Sequence, residues 1–90
     1  MNNTKQYCLV RFHKRTGKIN TTLESEGYEQ LIKWAVKSTS KTKESIIFNK
    51  TTGEIVCYIS GTSAGTESYI FENGANIESY CPGILEAVNS

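Results

Sequence analysis

The residues of this chain that could do chemistry are few and scattered. His13 is the single histidine, three cysteines stand at Cys8, Cys57 and Cys81, and there is no Asp. A zinc site takes four N, S or carboxylate ligands, and no such set is spaced for one here. Cys8 and Cys57 sit in strand-like runs among Leu, Val and Ile, where a cysteine behaves as a small buried hydrophobe. An odd number of widely spaced cysteines is no disulfide framework. A nucleophile pair would have to join Cys81 or Cys8 to His13, yet nothing flanking them resembles a protease signature. Glu67, Glu72 and Glu78 read as solubilising charges around a hairpin and not as an acid–base pair. The loop Gly61-Thr62-Ser63-Ala64-Gly65-Thr66 has the glycines of a phosphate cradle but lacks its Lys-Ser/Thr pair and a following helix. The expectation is therefore no enzyme, no cofactor and no metal.

Charge and aromatic residues are more informative. All ten Lys and Arg lie between Lys5 and Lys50, so residues 1–50 carry a net +6 and residues 51–90 a net −5. Lys5, Arg11, His13, Lys14, Arg15 and Lys18 surround one candidate turn. Lys33 and Lys37 flank Trp34, and Lys41 and Lys43 follow. Basic residues interleaved with an aromatic can track phosphates and stack bases. This nominates Lys14, Arg15, Lys18, Lys33, Trp34 and Lys37 as a nucleic-acid surface. Against it stand a pI of 7.7 and only two Arg, since nucleic-acid domains are usually more basic and lean on Arg.

The elements that must position these residues follow from periodicity. Cys8, Val10 and Phe12 alternate with Tyr7, Leu9 and Arg11, and Ile19, Thr21 and Leu23 return after a two-residue turn at Thr16-Gly17. The pattern F-x-K-x-T-G-x-I recurs 36 residues later, from Phe48 to Ile55. This register puts Cys8, Val10, Phe12, Ile19 and Leu23 on one face, and Ile46, Phe48, Ile55, Cys57 and Ile59 likewise. Between the hairpins, Tyr28, Leu31, Ile32, Ala35 and Val36 form one helical stripe. A third hairpin is expected about Asn73-Gly74. Pro82-Gly83 stops the sheet, and Ile84, Leu85 and Val88 suit a short terminal helix.

The fold expected is α+β, one domain over residues 1–90. About six antiparallel strands form three hairpins in the order ββαββββ, with one helix on one face and a short C-terminal helical turn. Tyr7, Arg11, Tyr58, Tyr69, Phe71 and Tyr80 are then left on the outer face. That is much aromatic surface for solvent, and Tyr and Arg are common interface anchors. A sheet that curls, or the tail helix, could hide these residues; otherwise a partner covers them.

The reading is a small binding module, an adaptor or inhibitor that engages another protein or itself, with nucleic acid as the alternative partner. No apolar run is long enough for a membrane span, and the N-terminus lacks a signal-like stretch, so the cytoplasm is expected. In size and composition the chain is like many small accessory proteins of phages and mobile elements, a likeness that rests on no motif.

Overall fold

The computed structural model describes residues 5–13, 15–38, 42–62, 65–69 and 74–89, with the side chains of Asn20, Ser38, Thr62 and 65–69 excepted. The fold is α+β. Strands β1 (Tyr7–His13) and β2 (Ile19–Ser25) precede helix α1 (Tyr28–Ser38). Strands β3 (Lys43–Asn49), β4 (Ile55–Thr62) and β5 (Gly65–Tyr69) follow, then a 3-10 turn (Ile77–Ser79) and helix α2 (Ile84–Asn89). One antiparallel sheet of five strands runs in the order β2-β1-β3-β4-β5. Helix α1 is the crossover that carries the chain past β1 from β2 to β3.

Among the described residues five strands are found, not the six expected, and the third hairpin there is not the one expected about Asn73-Gly74, a turn that falls partly outside those residues. β4 turns into β5 instead, with Thr62 opposite Gly65. Most of the expected glycine loop thus lies in strands. Residues 75–77 then rejoin the same edge of β4: the Ile55 N–H donates to the Ala75 carbonyl, and the Ile77 N–H to the Gly53 carbonyl. Gly74 has φ +91°, and Asn73 lies outside the described residues.

The two repeated hairpins share a hydrogen-bonding pattern at their turns. Gly17 N–H donates to the His13 carbonyl and Gly53 N–H to the Asn49 carbonyl, at 2.7 and 2.8 Å. Thr16 Oγ1 accepts from Lys18 N–H and Thr52 Oγ1 from Glu54 N–H. His13 Nδ1 accepts from Arg15 N–H as Asn49 Oδ1 does from Thr51 N–H. Both glycines have positive φ, +70° and +83°, which L residues adopt at a cost. Each loop spans four residues, not two.

Each hairpin also carries a bulge. Phe12 faces Ile19 while Arg11 faces Thr21, so Asn20 is extra. Phe48 faces Ile55 while Ile47 faces Cys57, so Val56 is extra. An extra residue reverses the in–out alternation beyond it. Leu23, Cys57 and Ile59 therefore move to the face opposite Phe12, Phe48 and Ile55.

Two cores result, one on each side of the sheet. Leu9, Ile47, Cys57 and Ile59 meet Leu31 and Ala35 of α1. Cys8, Val10, Ile46, Phe48 and Ile55 meet Ile77 and Ile84 from the C-terminal segment. Expectation and structure differ here: α1 covers the face of Tyr7 and Leu9, expected to lie away from the helix, and residues 74–89 cover the face of Cys8, Val10 and Phe48, expected to lie beneath it.

Candidate functional site

Helix α1 begins where Ser25 ends β2. The Ser25 hydroxyl donates to Gln30 Oε1 and accepts from the Gly27 N–H, occupying one early donor. Glu29 in the first turn and Lys37 in the last suit the helix dipole. The apolar stripe is broader than its seat on the sheet. Leu31 and Ala35 are buried, whereas Tyr28 is 39 % and Val36 46 % exposed. Tyr28, Ile32 and Val36, four residues apart, form a ridge along one flank. Ile32, Lys33, Val36 and Lys37 line a shallow, open groove there. In the sequence this ridge is visible only as the width of the stripe, which does not separate it from core.

The nominated aromatic face disperses. Tyr7 lies under α1, edge-on to Tyr28 with ring centroids 5.4 Å apart. Arg11 is also on that side, its guanidinium 5.3 Å from the Trp34 ring centroid. Tyr58 belongs to the opposite face, packed against the core that the tail covers. Burial, and then Glu44, hold its phenol well above the usual tyrosine range. Tyr80 closes the 3-10 turn and is half exposed. Tyr69 stands opposite Tyr58 in the backbone register, but its side chain lies outside the described residues, as does all of Phe71. No common outer face unites Tyr7, Arg11, Tyr58 and Tyr80.

The basic residues are brought together along the strand axis. β1 runs from Tyr7 to His13, Lys43 pairs with His13, and the β1–β2 turn carries Arg15 and Lys18. α1 starts beside Tyr7 and returns toward Lys43, so Lys37 reaches this same end. Glu24, Glu26 and Glu29 occupy the other end, with Glu54 beside Asn76 and Glu78 beyond it. Lys5 and Lys50 at that end, and Glu44 at the basic one, are exceptions. Lys50 bonds Glu24 at 2.9 Å, partly buried. Lys14, nominated for the basic surface, lies outside the described residues. Arg11 lies over one face of the Trp34 ring.

The cysteines are placed as hydrophobes. Burial pushes the Cys8 thiol up to about 12, with the Glu24 carboxylate adding to it. Cys57 and Cys81 are raised mainly by burial as well. A thiol raised in this way yields little of the nucleophilic thiolate. Among the described residues there is no cluster of three or more metal-ligating side chains. No helix among them is long and apolar enough to cross a membrane.

Comparison with protein-family models, with curated proteins and with solved structures finds no match to this chain.

Proposed function

We propose that this chain is a non-enzymatic protein-binding module, an adaptor or inhibitor, that engages its partner through the exposed flank of α1. The observation that carries this reading is the groove of Ile32, Lys33, Val36 and Lys37 beside Tyr28. Its apolar floor supplies contact area and its two lysines favour a segment that presents aliphatic side chains next to Asp or Glu. The three free thiols, all raised toward the neutral form, fit a reducing compartment such as the cytoplasm and no thiolate chemistry.

A second reading has its own observation. Arg15, Lys18, Lys37 and Lys43 gather at one end of the sheet, a footprint suited to a phosphate backbone.

Paired variants separate the two. Val36→Asp removes the apolar flank, and Arg15→Glu with Lys18→Glu reverses the basic end. Affinity capture from nuclease-treated lysate should return a protein that Val36→Asp loses and the double variant keeps. Nucleic-acid binding that Val36→Asp retains and the double variant abolishes would replace the first reading by the second.

A further inference from the structure

We infer that β2 is a self-pairing edge through which two copies of this chain join in one continuous ten-stranded sheet, two sets of the five strands described. This surface is separate from the α1 groove and does not depend on it.

β2 is a border strand, and no strand pairs with its outer edge among the described residues. Natural edges are guarded by lysine, proline, short length or a bulge along the strand. The seven residues Ile19–Ser25 contain no Lys and no Pro. Their one charge is Glu24, whose carboxylate is engaged by Lys50. The bulge at Asn20 lies near one end and leaves Thr21–Ser25 in regular register. Ile19 is 37 % exposed and Thr22 is exposed as well.

The occupant follows from symmetry and charge. Two identical strands pair antiparallel about a two-fold axis perpendicular to the sheet. That axis preserves the faces, so one residue must stand opposite itself. Centring on Thr22, the middle of β2, overlaps the whole strand. Thr21 then faces Leu23, Asn20 faces Glu24, and Lys18 faces Glu26 of the second copy. No like charges meet along the strand. The same axis reverses the second molecule end for end. The basic end of Arg15, Lys18 and Lys37 is thereby set beside Glu26 and Glu29 of the second copy. Opposite charges across strands favour pairing and like charges oppose it.

The test is sedimentation across about a hundredfold range of concentration at low salt, because a dimer's population follows mass action. A reversible dimer weakened by salt is expected. Thr22→Lys places two ammonium groups at the dyad and should raise the dissociation constant about tenfold or more, since like charges directly opposite are destabilising. Its circular dichroism should stay native, because Thr22 is exposed. A second variant does not depend on weakening the dimer. Directly opposed residues have Cα atoms about 4.5–5.5 Å apart, within disulfide reach. Thr22→Cys should therefore cross-link two chains under mild oxidant, beyond wild type and beyond Lys33→Cys. A monomer at every concentration would overturn the inference. So would a dimer in which Thr22→Cys cross-links no better than Lys33→Cys.

Discussion

Gly17 and Gly53 hold the same backbone conformation in the same turn, yet their surroundings differ. A Cβ on Gly17 would meet nothing within 4 Å, whereas one on Gly53 would meet Asn76 Oδ1 at 2.8 Å and Leu85 Cδ1 at 2.9 Å. Gly17→Ala should cost about 1 kcal/mol, the strain of positive φ alone. Gly53→Ala should cost more, because it also displaces Asn76, which donates to the Thr52 carbonyl and accepts from the Glu78 N–H. Urea denaturation of the two variants tests this; equal losses would mean that the tail does not lean on Gly53. Cys8 gives a prediction in pH. Its thiol ionises near 9.0 when unfolded and near 12 when folded. Above the unfolded value the unfolded chain has released a proton that the fold retains. The contribution of this thiol is thus present below about pH 9 and lost as pH rises toward about 12. Cys8→Ser should flatten the alkaline limb of a stability–pH curve; an unchanged slope counts against the buried, protonated thiol.

At the scale of elements, α1 and the tail carry different loads. Leu31 is 4 % exposed in one core, and Leu31→Ala should cost about 2–4 kcal/mol. Val36→Ala, on the open flank, should change stability little. If the two cost the same by denaturation, the helix is not seated as described. α2 is held by a carboxylate: Glu78 accepts from the Gly83 N–H at 2.8 Å and the Leu85 N–H at 2.9 Å. These two bonds hold its ionisation below the usual glutamate range. This support is present above the unfolded value of 4.5 and is lost as pH falls below it. Glu78→Gln at neutral pH should speed exchange of the Leu85 amide while leaving the Ile47 amide protected. Equal acceleration at both would show that the tail opens only with the whole sheet.

The elements up to β4 were legible in the sequence, and their order stands. Facing was legible only in part: Cys8, Val10, Phe12, Ile46, Phe48 and Ile55 share a face as expected, but two unmarked bulges, at Asn20 and Val56, reverse the alternation beyond them and send Leu23, Cys57 and Ile59 to the other face. A counter-signal was present. Cys8-Leu9-Val10 and Ile46-Ile47-Phe48 are unbroken apolar runs, and all six side chains are fully buried. Such runs mark strands covered on both faces, which one helix could not supply. The groove was hidden for a related reason: a stripe does not say which of its members the sheet is wide enough to cover.

For the molecule as a whole, the linear separation of charge becomes an axial one, since α1 folds Lys37 back to the end that holds Arg15 and Lys18. Residues 74–89 form the second covering layer, through Ile77 and Ile84. Removing them would bare Cys8, Val10, Ile46 and Phe48, an apolar patch that a soluble monomer rarely tolerates. A chain ending at Asn73 should lose its cooperative melting transition; a native-like melt would show that the tail is ornamental.

The placement of the thiols has a practical corollary. Cys8 sits beneath the tail and Cys57 beneath α1, each fully or nearly sealed, while Cys81 is partly open. The native sequence thus contains a separate reporter for each lamina of the fold. Under native conditions, labelling by a thiol reagent is gated by transient opening. Modification of Cys8 then times the peeling of the tail, that of Cys57 times the lifting of α1, and Cys81 serves as the internal reference. Mass spectrometry of a labelling time course could rank the two openings on unmodified protein, and any partner would declare its docking side by which of the two clocks it slows.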